Sequence, residues 1–94
     1  MKHAILIALL ALGVPAAAQA DCWVEYKAKQ DSPLRLHYGI VRLPGVCPDM
    51  AAVAAQLRPR LSSGGWQLLN VVRLSQDAPG QKQRANAGEY YLRY

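Results

Sequence analysis

Two cysteines, Cys22 and Cys47, constrain this chain more than any other feature, and what they can do depends on where the chain resides. The first twenty residues bear on that. "MKHAILIALLALGVPAAAQA" has one early lysine, an apolar run from Ala4 to Val14, a helix-breaking Pro15 and small residues ending in Ala18-Gln19-Ala20. This is the layout of a secretory signal peptide, with cleavage expected after Ala20. The apolar run of about eleven residues falls short of the roughly 20 needed to cross a bilayer, so no stable membrane anchor is expected. Asp21 stands before Cys22 where a lipoprotein signal would need a small residue, which disfavours a lipid-anchored form. The chain therefore reads as a bacterial periplasmic or secreted protein. In an oxidising compartment an even pair of cysteines is expected to close a disulfide.

Cleavage would leave residues 21–94, a single domain near the size where a hydrophobic interior supplies only a few kcal/mol. Closing a loop of about 25 residues between Cys22 and Cys47 would contribute roughly 3–4 kcal/mol on the chain-entropy model, a large share of that total. The full chain carries a formal charge of +5. Losing Lys2 with the leader leaves ten Lys and Arg against six acids, a balance of +4. Such a charge favours weak attraction to anionic surfaces and says nothing about fold.

Along residues 21–94 the hydrophobic period identifies the elements. "CWVEYKAK" alternates, with Cys22, Val24, Tyr26 and Ala28 on one face and Trp23, Glu25, Lys27 and Lys29 on the other, as in a half-buried strand. "QDSP" carries turn chemistry. "LRLHYGIVRL" alternates again and is expected to pair antiparallel with the first strand. In this reading Leu34, Leu36, Tyr38 and Ile40 share a face, while Arg35, His37 and Gly39 lie on the outer one. Gly39 in mid-strand suggests a bulge or a close backbone approach.

From Pro44 the register changes. Pro48 suits a first helical position, Asp49 just inside it complements the helix dipole, and Met50, Val53, Leu57 and Leu61 recur at helical spacing. Pro59 is expected to end or kink the regular helix near Arg58. Gly64-Gly65 fits a helix C-terminus, and Trp66 to Leu74 is a third strand with both faces partly covered. "SQDAPGQKQRANAG", Ser75 to Gly88, has no periodicity and is long for a connection, hence either mobile or a binding loop. "EYYLRY" completes the set as a fourth strand with Tyr90, Leu92 and Tyr94 on one face. The expected fold is α+β, a four-stranded and mainly antiparallel sheet in the order strand, strand, helix, strand, strand, with one helix packed on a face.

The chain resembles a family of short bacterial domains, domain of unknown function 4177, in an exported form. The resemblance rests on the opening strand "WVEYKAK", on a short helix running into a Gly-Trp strand in "LRPRLSSGGWQLLNVV", and on the aromatic closing strand "EYYLRY". The cysteine pair, the leader and the longer second strand depart from the family pattern. The resemblance implies a small α+β fold and supplies no catalytic residues. On this basis Gly64-Gly65-Trp66 reads as a corner that reverses the chain, with the tryptophan capping the core beside the helix end.

No arrangement of chemistry-bearing residues stands out. His37 is the only histidine outside the leader, and no serine sits in a nucleophile elbow such as G-x-S-x-G. The carboxylates are dispersed. Cys22, Cys47 and His37 lack the short paired spacing of structural zinc sites, so no metal is expected, and no phosphate-binding glycine loop or other cofactor motif occurs. Trp23, Lys27, Lys29, Arg35, His37, Lys82 and Arg84 could together form a basic, aromatic face for an anionic partner. Export argues against nucleic acid. The leading expectation is a small, non-enzymatic interaction module whose partner is a protein or an anionic envelope component, contacted through the outer sheet face, the Ser75–Gly88 loop or a free strand edge. Such an edge would also allow self-association. The alternative is an inhibitor of a secreted or periplasmic enzyme. A +4 chain suits a neutral or acidic target and not a cationic lysozyme.

Overall fold

The computed structural model describes residues 20–94, so all of the expected leader except Ala20 lies outside the described residues. Three strands build the sheet: β1 (Asp21–Gln30), β2 (Arg35–Pro44) and β3 (Gln67–Ser75). Their order is β2-β1-β3, and both pairings are antiparallel. The helix α1 (Met50–Ser63) packs on one face, and a shorter helix α2 (Gln81–Ala87) follows β3. The class is α+β as expected, but the sheet has three strands and a second helix has formed.

β1 is central because its alternation gives it one fully apolar face. Cys22, Val24, Tyr26 and Ala28 are all completely buried, and they meet Val53, Leu57 and Leu61 of α1 in a single core. Burying Val24, Val53, Leu57 and Leu61 stabilises by about 1.5–3 kcal/mol each. Cys22 bonds to Cys47 across a sequence separation of 25, with the two Cα atoms 4.8 Å apart. The bridge joins the start of β1 to the loop just before α1, as the sequence led us to expect.

α1 starts two residues later than expected, at Met50 and not at Pro48. Asp49 is its N-cap and not a residue inside it, and the Asp49 carboxylate accepts from the Ala52 N–H at 2.8 Å. Met50 faces solvent, so the buried stripe is Val53, Leu57 and Leu61 alone. Pro59 sits inside the helix, which continues to Ser63. The ring removes one backbone donor, but Ala55, whose carbonyl loses that partner, is exposed, so the carbonyl faces water at small cost. The need to bury Leu61 then carries the helix one turn further.

The glycine corner forms as expected. The N–H groups of Gly65 and Trp66 donate to the carbonyls of Ser62 and Leu61 at 2.9 Å each, the paired bonds of a Schellman ending, and Gly65 takes the positive φ of +86° that this geometry requires. Trp66 is buried at once beyond it.

β2 lies in the register opposite to the expected one. The Asp31–Leu34 turn sets Gln30 opposite Arg35, and residues facing each other across an antiparallel pair share a side of the sheet. His37, Gly39, Val41 and Leu43 therefore join the core face opposite Ala28, Tyr26, Val24 and Cys22. Leu34 and Leu36 are each 65% exposed. Gly39 is a close approach and not a bulge: the Tyr26 ring lies over it, with the ring Cζ 2.6 Å from where a Cβ would stand.

β3 is likewise rearranged, by two register shifts against β1. The packed residues become Leu68, Val71 and Leu74, while Leu69 and Val72 turn outward. Among the described residues no fourth strand forms. Gly88–Tyr90 is a 3-10 turn, after which Tyr91 makes a single parallel bridge to Ile40 on the edge of β2. Positive φ at Gly88 (+56°) and Leu92 (+61°) prevents extended chain on either side, and Tyr90 is drawn into the core instead. The Ser75–Gly88 segment is not a structureless loop. Residues 77–83 pass beside Trp23, Glu25, Ile40 and Arg73 on the sheet face away from α1, and Ile40 is completely buried there.

Candidate functional site

Two groupings of side chains have the composition of sites, one closed and one open. The closed one centres on His37, which is 7% exposed. Its Nε2 lies 2.9 Å from the Tyr26 hydroxyl; its ring stacks on Tyr90 with centroids 3.8 Å apart and meets the edge of Trp66 at 4.2 Å. Nδ1 is buried and has no hydrogen-bond partner. Burial lowers the His37 pKa, with Glu89 pulling weakly the other way, and burial raises that of Tyr26. The ring is thus held neutral within an aromatic cluster. No nucleophile stands beside it, and among the described residues no three His, Cys, Asp or Glu side chains gather as metal ligands do. A neutral, enclosed imidazole with one tyrosine partner packs the C-terminal segment, through Tyr90, against Tyr26 of β1 and Trp66.

The open grouping lies on the sheet face away from α1. α2 and residues 77–83 cover only the part of that face around Trp23 and Ile40. The remainder is a depression of about 280 Å³ lined by Lys27, Ala28, Leu36, His37, Tyr38 and Leu69. Leu36 and Leu69 (49% exposed) supply apolar walls, and Lys27 supplies an exposed charge. Its polar boundary is fixed by Glu25, which accepts from the Tyr38 hydroxyl at 2.7 Å and faces Arg73 at 3.8 Å. Burial, reinforced by the bond to Glu25, pushes the Tyr38 hydroxyl up to about 12, so it remains a neutral donor. On the other side of β3 a wider groove of about 660 Å³ runs between Arg58, Pro59 and Ser62 of α1 and residues 65–68.

The residues expected to form one basic, aromatic face are divided. Lys27 and Lys29 lie on the open part of the sheet, with Lys29 3.5 Å from Asp31. Arg35 projects to the opposite side, its guanidinium 5.9 Å from the Trp66 ring. Trp23 is half-buried beneath residues 77–83 with Arg42 at 5.9 Å, and Lys82 and Arg84 are exposed on α2. His37, expected on the outer face, has its ring enclosed in the core and only borders the open depression. The sequence reading missed Leu36, Tyr38 and Leu69. Arg42 was the available signal for the first two: it shares the phase of Leu36 and Tyr38, whereas Val41 and Leu43 share that of His37.

The edges are poor templates for strand addition. The C-terminal segment occupies β2, where the Leu92 N–H donates to the Ile40 carbonyl at 2.7 Å. β3 has no outer neighbour among the described residues, but its two register shifts disrupt the regular ladder that an incoming strand would extend. No described helix is long and apolar enough to cross a membrane. Comparison of the chain with known protein families, curated proteins and solved structures finds no match in any of the three.

Proposed function

We propose that this chain is a non-enzymatic interaction module that works outside the cytosol and binds through the open part of its outer sheet face. The observation that carries this reading is the exposure of Leu36 and Leu69 beside Lys27, on a face whose other part is covered by the chain itself. Leaving such residues in water forfeits burial energy that a domain this small can ill spare, which favours a surface completed by a partner. The Cys22–Cys47 bond supports an oxidising compartment, and the leader-like opening supports export. Kinship with the domain of unknown function 4177 rests on the strand and Gly-Trp motifs and agrees with a role that needs no catalytic group. Blunted edges make face binding the better route than strand addition, for a partner or for a second copy.

A photo-crosslinking residue placed at Leu36 and, separately, at Ala55 on the exposed side of α1 tests the reading in intact cells. Adducts from position 36 and none from position 55 are expected. Equal labelling from both, or none from either, would overturn the assignment of the face.

A further inference from the structure

The sheet register gathers one end of the molecule into a distinct surface. Pairing of Lys29 with both Leu36 and Gln67 places the Asp31–Leu34 turn, the end of β1, the start of β2 and the start of β3 side by side. Three leucines project there with little cover: Leu34 and Leu36, each 65% exposed, and Leu69, 49% exposed. Two cations share their face and two more lie on the opposite face at the same end. Lys27 and Lys29 stand on the open face, while Arg35 and Arg58 flank Trp66 on the other. Three acids are near: Asp31 beside Lys29, Glu89 close behind His37, and Glu25, which is engaged by the Tyr38 hydroxyl and Arg73. The remaining side-chain carboxylates belong elsewhere: Asp21 at the start of β1, Asp49 at the N-cap of α1, and Asp77 beyond β3.

Building on the assignment of the open face as a contact surface, we infer that this end of the sheet docks reversibly on an anionic lipid bilayer. Apolar tips flanked by basic side chains match the two layers of a membrane boundary. The leucines enter the region between headgroups and acyl chains, and the lysines and arginines lie at phosphate level. A small-molecule site would be concave and would carry convergent polar groups. Here the leucines protrude from a turn and strand ends, and the hollows beside them are shallow. The surplus of cations selects anionic over zwitterionic lipid, each basic residue near such a surface strengthening binding about fivefold. Three partly inserted leucines give salt-sensitive attachment and not permanent anchoring.

The test is co-sedimentation of the protein, purified from the cells that make it, with vesicles of phosphatidylcholine alone or mixed with phosphatidylglycerol. Binding is expected on the mixed vesicles and not on the neutral ones, with loss at high salt. Leu34→Ser/Leu36→Ser and Lys27→Glu/Lys29→Glu should each weaken it at least tenfold, since all four side chains are exposed or half-buried and their replacement leaves the core intact. Lys82→Glu/Arg84→Glu, the same charge change on α2, should cost less than threefold. No binding to the mixed vesicles, equal binding to neutral ones, or loss in the lysine pair without loss in the leucine pair would overturn the proposal. Should position 36 crosslink to a protein while vesicles fail to bind, the face assignment stands and the lipid partner falls. Silence in both assays removes both.

Discussion

Breaking the Cys22–Cys47 bond is the perturbation with the largest expected effect. The cystine closes a loop of 25 residues between the start of β1 and the loop before α1. In the unfolded chain that closure removes about 12 cal/mol/K of entropy, or roughly 3.5 kcal/mol at 25 °C on the chain-entropy model. Cys22 is also wholly buried among Val24, Leu43 and Val53 in the core cluster, so replacement by alanine adds a small packing loss. Domains of this size gain or lose about 4–8 °C in Tm per kcal/mol, which makes the expected shift about 20 °C. Thermal unfolding followed by circular dichroism should show it, in Cys22→Ala/Cys47→Ala and in the native chain held in excess reductant. The two samples should agree within a few degrees, because both remove the same constraint. A shift below about 5 °C in both would mean that the interior of this domain suffices without the bridge, and the reasoning from core size would be wrong.

Other outcomes follow from single positions. Gly39→Ala places a Cβ within the Tyr26 ring, which must swing away from His37, and should cost about 1–3 kcal/mol in urea unfolding; an unchanged midpoint would refute the close approach. Stability should also fall on mild acidification. Burial lowers the folded pKa of His37, while the unfolded imidazole titrates at about 6.5, so below that pH the unfolded state takes up a proton that the fold refuses. The contribution is complete above about pH 6.5 and is lost as the pH falls from there toward the folded value, and His37→Gln should flatten the change in urea midpoint between pH 7.5 and 5. Pro59→Ala, at an exposed helical site with a free Ala55 carbonyl, should raise stability by about 1–3 kcal/mol; a lower midpoint would show that the ring makes a contact beyond its backbone restriction.

Features that depend on a few neighbouring residues were legible in the sequence. The alternation of Cys22 to Lys29, the turn after Gln30, the helical recurrence of Val53, Leu57 and Leu61, and the glycine corner before Trp66 all require local chemistry, and all are present. The cystine was legible for another reason: with only two cysteines there is one intramolecular pairing. α2 was not legible, because seven residues with Ala87 alone buried show no period.

The amino-acid order alone determined the kinds of element, their order through β3 and the covalent tie between β1 and the approach to α1. The inward face of β1 followed from its one apolar side, but tertiary structure alone decided which side of β2 and of β3 faces inward. A period of two is the same for either assignment, so the phase of β2 came from the length of its turn and from the side on which α1 packs. That one choice enclosed His37 against Tyr26, Trp66 and Tyr90 and left Leu34 and Leu36 outside. The stack on His37 in turn held Tyr90 in the core and limited the C-terminal segment to one bridge, so no fourth strand could form. Long-range packing, which no local pattern encodes, thereby set both the interior and the exposed surface.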